Sequence, residues 1–220
     1  MTRAVLWDFD GTLATRPGGW SRCLVEALAG VGGACAAEAV RPGLRDGFPW
    51  HTPDVGHRHD ADGWWAALAP LLARAYAGAG VPREAAGAAV AAFRAVYTDP
   101  AAWTVYADVA PALALLGEYR HVIVSNHVPE LPALVAALRL PVDAVVTSAA
   151  VGWEKPHPRL YAAALDAAGH PDEVWMVGDN PVADVAGAEA LGIPAILVRT
   201  AGEAQRRCEG LVEAARLILA

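Results

Sequence analysis

The stretch "AVLWDFDGTLAT", residues 4–15, decides how this chain is read. It opens as an apolar run and ends on Asp8 and Asp10, two positions apart, with Gly11 and Thr12 directly behind them. In a strand, residues i and i+2 point to one face, so the two carboxylates are expected side by side and repelling each other. Such a pair calls for a cation or for a shared chemical task.

The chain's 220 residues suffice for one α/β domain with a large insertion, or for two small domains. A net charge of -7, with Arg206 and Arg207 the only adjacent basic pair, argues against a nucleic-acid or anionic-membrane surface. Small molecules or protein are the expected partners, with the chain a monomer or homodimer. Cys23, Cys35 and Cys208 are odd in number and far apart, which fits neither a disulfide framework nor a zinc pattern and predicts reduced thiols in a cytoplasmic protein. No apolar run approaches the roughly 18 to 20 residues needed to span a bilayer. A strand-like run already begins at Ala4, so no secretory leader is expected. Of 17 basic residues only Lys155 is lysine, and asparagine occurs only at Asn126 and Asn180.

Short apolar, β-branched runs recur at 121–126, 143–148, 174–180 and 195–199, which with residues 4–10 makes five predicted strands. Helical stretches rich in Ala and Leu lie between them, several opened by Pro or closed by Gly, and a final helix is expected over about 203–219. Continuously apolar strands are usually buried on both faces, so the pattern predicts an α/β fold with a doubly wound parallel sheet. Residues 15–104 break that rhythm. They predict helices at 20–30, 63–79 and 82–97 and no strand, an α-helical insertion after the first strand. The loop at 41–63, rich in Pro, Gly, Asp and His, is longer than the roughly 12 to 15 residues beyond which loops are usually functional or disordered.

In an open parallel sheet, reactive groups gather beyond the carboxyl ends of the strands. Those ends carry Asp8 and Asp10, then Ser125 and Asn126, then Lys155 reached through Gly152, Trp153 and Glu154, and finally Asp179 and Asn180, with Asp184 five residues past Asp179. The lone lysine and both asparagines therefore fall on one rim.

At this rim the chain resembles a known family. "DFDGT", the strand-ending "SN", the lone Lys before Pro, and "GDNPVAD" are similar, in order, to the four motifs of the haloacid dehalogenase (HAD) superfamily, in the branch whose helical cap lies between the first and second motifs. The resemblance spans the chain. It implies a Rossmann-like core from residues 1–14 and 105–220, a cap from 15–104, a magnesium ion, and an aspartate nucleophile. By the same resemblance Asp8 would attack phosphorus and form an aspartyl-phosphate, and Asp10 would protonate the leaving oxygen and then activate water. Asp8, the Asp10 backbone carbonyl and Asp179 would hold Mg²⁺. Phosphoryl transfer itself asks for a hard cation on oxygen ligands and a fixed ammonium to neutralise the non-bridging oxygens. Thr12, Ser125 and Lys155 are the expected donors, and Asp184 is read either as orienting Lys155 or a metal-bound water or as a helix-start residue. Asn126 and Asn180 either bind substrate and support the site or cap the helices that follow.

The implied activity is Mg²⁺-dependent hydrolysis of a small phosphorylated metabolite. Relatives that cleave carbon–halogen bonds lack the second acidic residue of the first motif, which is Asp10 here, and "DGTLATR" does not resemble the hexose-phosphate mutases. The alternatives are a catalytically silent HAD-like regulatory or binding module, which has no need of Asp8, Asp10, Lys155 and Asp179 together, a phosphoryl-accepting signalling domain, against which an insertion of about 90 residues argues, and, ranked below these, a haloacid dehalogenase or phosphomutase relative. Specificity is expected from the cap. Arg16, Trp50 and His51 are its candidates, Arg16 either meeting an anionic leaving group or lying solvated at the surface, and His51 and Trp50 either contacting the leaving group or belonging to a solvated loop.

Overall fold

The computed structural model describes residues 1–57 and 59–220, so position 58 of the long loop lies outside the described residues. The first strand, β1 (Arg3–Trp7), is fully buried from Ala4 to Trp7, as its unbroken apolar run requires. After it come β2 (Ala14–Thr15) and four helices, α1 (Gly19–Gly30), α2 (Ala37–Val40), α3 (Ala61–Gly78) and α4 (Arg83–Tyr97). The chain returns through β3 (Thr104–Val105), which pairs antiparallel with β2.

The remainder alternates: α5 (Val109–Leu115), β4 (Arg120–Ser125), α6 (Leu131–Ala137), β5 (Ala144–Thr147), α7 (Ser148–Val151), α8 (Pro158–Ala167) and β6 (Glu173–Gly178). A π-helical turn at Pro181–Ala186 leads into α9 (Gly187–Glu189), and β7 (Ala195–Val198), β8 (Arg207–Cys208) and α10 (Leu211–Ile218) complete the chain. The main sheet has the order β5-β4-β1-β6-β7-β8, and all of its pairings are parallel. Period-two alternation divides the core. Val5, Trp7, Ile123 and Val177 face the layer that holds α5, α6, α10 and the inserted helices, while Ala4, Leu6, Val122 and Met176 face α8 and α9. This is the doubly wound α/β fold that the strand pattern predicts, with the helical insertion after the first strand.

Three local expectations need correction. The first strand stops at Trp7 rather than Asp10, because Gly11 at φ +86 turns the chain and Phe9 O accepts the amides of Leu13 and Ala14. The last helix begins at Leu211, not near 203; Gly210 is its extended entry, and the preceding residues add a sixth strand, β8, to the sheet edge. The loop at 41–63 is not devoid of regular structure, since short 3₁₀ turns form at Arg41–Leu44 and Pro49–His51, each with a proline in its first two positions. Its exit is fixed by Asp60, whose carboxylate accepts the Gly63 amide and caps α3.

Ile123 is fully buried in β4 between β1 and β5. Ile123→Ala is expected to lower unfolding stability by about 2 to 5 kcal/mol, read from urea denaturation, because the packed layer can only partly close the hole.

Candidate active site

Sheet order explains why residues far apart in sequence meet. β1 lies between β4 and β6, so Asp8, Ser125 and Asp179 leave three adjacent strand ends together. Asp8 still donates its amide to Val177 O, which anchors it to β6 at 2.9 Å. Its Oδ1 accepts Ser125 Oγ at 2.8 Å and Lys155 Nζ at 2.7 Å. The same ammonium donates to Val124 O at 2.9 Å and to Asp184 Oδ1 at 2.5 Å, so all three of its protons are directed.

Each partner is held in turn. Asn126 clamps the lysine backbone, Oδ1 accepting Lys155 N at 2.6 Å and Nδ2 donating to Lys155 O at 3.0 Å. Asn180 Oδ1 accepts the amides of Val182 and Ala183, while its own amide donates to Asp184 Oδ2 at 2.9 Å. Of the readings left open by the sequence, the helix-capping one describes the side chain of Asn180, and Asp184 is the carboxylate that orients Lys155. Gly178 lets this packing close, since a Cβ there would fall 2.2 Å from Asp184 Oδ2.

Electrostatics separates the carboxylates. Lys155 is pulled down by burial, but Asp184 and Asp8 outweigh that and hold its ammonium well above the usual lysine range. Burial pushes Asp184 up, yet its contacts to Lys155 and the Asn180 amide favour the ionised form, and we read the pair as an ion pair. Among the described residues Asp10 has no such cation in contact. It reaches water through the cavity mouth but is flanked by protein, and desolvation together with the charge of Asp8 pushes it up to about 7. Desolvation and the same neighbour also raise Asp179, and no hydrogen-bond donor meets its carboxylate among the described residues.

A divalent cation fits this arrangement. Carboxylate oxygens of Asp8, Asp179 and Asp184 lie within 4.8 Å of one another. Because Asp184 already accepts from Lys155 and Asn180, the oxygens free to bind are on Asp8 and Asp179, an all-oxygen set suited to a hard ion. Gly11 keeps the approach open, since a Cβ there would sit 2.4 Å from Asp179 Oδ2.

A cavity of about 440 Å³ covers these groups. Asp8, Asp10, Ser125, Asn126, Lys155 and Asp179 form its polar side, and Asn180 and Asp184 also line it. Three predicted residues do not. Thr12 is carried inward by the Gly11 turn, is fully buried, and accepts Arg199 Nε on its carbonyl. Arg16 is neither solvated nor at the cavity; it is 4% exposed and donates to Glu26 and to Val96 O. His51 faces a separate 230 Å³ cavity in the loop, where its Nδ1 accepts the Phe48 amide. Trp50 does line the main cavity, joined by Trp20, Tyr97 and His127, which sequence reading missed. His127 directly follows the "SN" pair and could have been found there; Trp20 and Tyr97 carry no local signal.

The loop also touches the sheet side of the molecule. His57 Nε2 lies 3.0 Å from Glu154 Oε1, and the His57 amide donates to Gly152 O at 2.9 Å.

The haloacid dehalogenase-like hydrolase family matches residues 2–192. This chain belongs to that family. A phosphoglycolate phosphatase from Rhodospirillum rubrum is 35% identical over 215 residues, covering 90% of this chain and 80% of that protein. A phosphoserine phosphatase from Thermus thermophilus is 42% identical over 80 residues, only 34% of this chain and 32% of that protein. An L-2-haloacid dehalogenase structure from Xanthobacter autotrophicus superposes with a TM-score of 0.70 at 24% identity, covering 100% of this chain and 99% of that one. A HAD phosphatase structure from Thermococcus onnurineus gives 0.66 at 22%, covering 99% and 98%. Both structures share the fold, and the fold is common to dehalogenases and phosphatases. Among the described residues no helix is long and apolar enough to cross a membrane.

The raised Asp10 and Asp179 carboxyls bind protons more tightly folded than unfolded. Their contribution to stability is therefore full at low pH and is lost as pH rises through the folded values, near 7 for Asp10. The chelated protein is expected to lose melting temperature between about pH 5 and about pH 8, and added Mg²⁺ to restore more of it at the higher pH. Thermal melts with EDTA and with Mg²⁺ at both pH values check this; an Mg²⁺ shift that shrinks toward high pH would contradict it.

Proposed function

We propose that this hydrolase is a Mg²⁺-dependent phosphatase acting on a small phosphorylated metabolite through an aspartyl-phosphate on Asp8. The observation that carries the reading is Asp10, a second carboxyl beside Asp8 that opens to the same cavity and so supports a proton donor and acceptor next to the reacting oxygen. A halide leaves without a proton, whereas an alkoxide does not, so Asp10 favours phosphate-ester cleavage over the dehalogenation seen in structural neighbours.

Ser125 and Lys155 hold the Asp8 carboxylate in place, and one of its oxygens forms the bond to phosphorus as the ester P–O bond breaks. Asp10 gives its proton to the departing oxygen. It then takes a proton from the water that attacks the aspartyl-phosphate and releases phosphate, regenerating both carboxyls. Asp184 holds Lys155 so that its charge faces the non-bridging oxygens. Bound Mg²⁺, held by Asp8, the Asp10 carbonyl and Asp179, would neutralise charge on the same oxygens. Residues 15–104 act in this reading as a cap over the rim, supported by the placement of Trp20, Trp50 and Tyr97 on the cavity wall.

Acetyl phosphate tests the chemistry alone, because its leaving group is too small to reach the cavity walls. Turnover that EDTA abolishes and that is lost in Asp8→Asn is expected; full turnover without divalent metal would overturn the mechanism. Asp10→Asn should lower kcat/KM for an alkyl phosphate by about 10²-fold or more, and for acetyl phosphate by much less, since acetate leaves unprotonated. Equal losses would remove Asp10 from the acid role. Lys155→Arg is expected to cost about 10² to 10³ in kcat, because a planar fork cannot occupy the place of an ammonium shared by two carboxylates.

A further inference from the structure

Away from the linking strands β2 and β3, the insertion grips two loops of the core, and each of them carries part of the rim. The first is the segment before α8. The His57 amide donates to Gly152 O at 2.9 Å, His57 Nε2 lies 3.0 Å from Glu154 Oε1, and Gly56 is close enough to the Trp153 ring that a Cβ would meet it at 2.7 Å. Glu154 is fully buried and directly precedes Lys155. The second is the loop after β4. There Glu130, just before α6, accepts Arg94 Nε from α4 at 2.7 Å and Trp65 Nε1 from α3 at 3.1 Å. Asp62 accepts Arg94 Nη1 at 2.5 Å and holds the guanidinium toward Glu130.

The two gripped loops are joined to each other at Lys155. Asn126, in the loop that ends at Glu130, accepts the Lys155 amide on Oδ1 and donates to the Lys155 carbonyl from Nδ2. A shift of either loop is therefore a shift of the lysine backbone. Its ammonium has little slack to absorb one, because Asp8, Asp184 and the Val124 carbonyl all meet it within 2.9 Å. Displacing a charge that faces a reacting group by about 1 Å can cost about 10² in rate.

Burial of Glu154 gives the first grip its leverage. A carboxyl taken fully out of water is costly unless a partner meets it, so docking of His57 stabilises the 152–155 segment in the conformation seen here. The Arg94 and Glu130 pair is partly exposed and adds less to stability, but it acts on the other loop and so on the other side of Lys155.

We propose that His57 with Glu154, and Arg94 with Glu130, are positioning residues through which the docked insertion sets Lys155 in place from both sides. Docking of the insertion and alignment of the ammonium are then one event, and the insertion contributes to the phosphoryl chemistry as well as to the shape of the cavity. The kinetic consequence rests on the phosphatase reading above; the mechanical coupling to Lys155 does not.

Three variants of the full chain test this with acetyl phosphate and Mg²⁺, a substrate whose leaving group does not reach the insertion. His57→Leu removes the hydrogen bond to Glu154. His57→Gln keeps both a nitrogen and an oxygen at the side-chain tip, so it can meet Glu154 whichever partner carries the proton. Arg94→Met keeps an apolar stem and releases Glu130. The kcat is expected to fall about tenfold or more in His57→Leu and about threefold or more in Arg94→Met, with a smaller change in KM, and to stay within about threefold in His57→Gln. A loss confined to KM, or His57→Gln as damaging as His57→Leu, would overturn the proposal. Hydrogen exchange at the Lys155 amide gives a readout without turnover. It is expected to be about tenfold faster in His57→Leu and Arg94→Met and unchanged in His57→Gln, with the amides of β1 as the internal reference. A Lys155 amide that keeps its rate in both folded variants would show that the contacts only hold the insertion down, and the proposal fails. If His57→Leu does not fold, Arg94→Met decides both measurements. If acetyl phosphate is not hydrolysed by the unaltered protein, the phosphatase reading fails, while the exchange rates still decide the coupling.

Discussion

The Lys155 ammonium, 3% exposed, lies between the carboxylates of Asp8 and Asp184, and the geometry of the rim depends on it. A buried ammonium is tolerable only if its charge and all of its protons are met, and here two carboxylates and the Val124 carbonyl meet them. Removing either acid would leave a charge without its partner, so the three residues stand or fall together. They come from the end of β1, from the π-helical turn that follows β6 and from the segment before α8, which the order β4-β1-β6 brings to one edge. The cation thus fixes one oxygen of Asp8 while leaving the other without a protein donor among the described residues.

Asp10 and Asp179 stand in contrast to that pair. Neither is met by a cation among the described residues, and both are pushed toward protonation by desolvation and by Asp8. One rim therefore holds satisfied and unsatisfied carboxylates. The satisfied ones are rigid, and the unsatisfied ones are available to an ion or a proton. That difference arises from position, since all four side chains are the same chemical group.

The inserted helices touch this rim from two sides. Trp20 and Tyr97 come from α1 and α4, and Trp50 from the loop between α2 and α3. The loop also docks on the residues just before Lys155, where Glu154 is fully buried against His57 and a Cβ on Gly56 would meet Trp153 at 2.7 Å. The aromatic wall is thereby held in fixed register with the strand-end rim, and the shape above Asp8 belongs jointly to the sheet and to the insertion.

Much of the rim was legible in the sequence because its residues end apolar runs and because two types are rare: the lone Lys155, and Asn126 and Asn180, all fell where the sheet brings strand ends together. Apolar periodicity fixed which elements are strands and which face of each is buried, and hence the doubly wound fold. It could not show what a turn does to the residues beyond a strand. Thr12 follows Asp10 closely yet is buried away from the cavity, because Gly11 at φ +86 reverses the chain. Nor could it show that Arg16 is turned inward to Glu26, or that His51 faces a second cavity. The stacking of Trp20 on Tyr97, 77 positions apart, leaves no local trace, since each ring reads on its own helix simply as an apolar position. Local pattern determined the elements and the chemistry at their ends; only the tertiary packing decided which side chains close over that chemistry, because those contacts join segments whose periodicities are independent of one another.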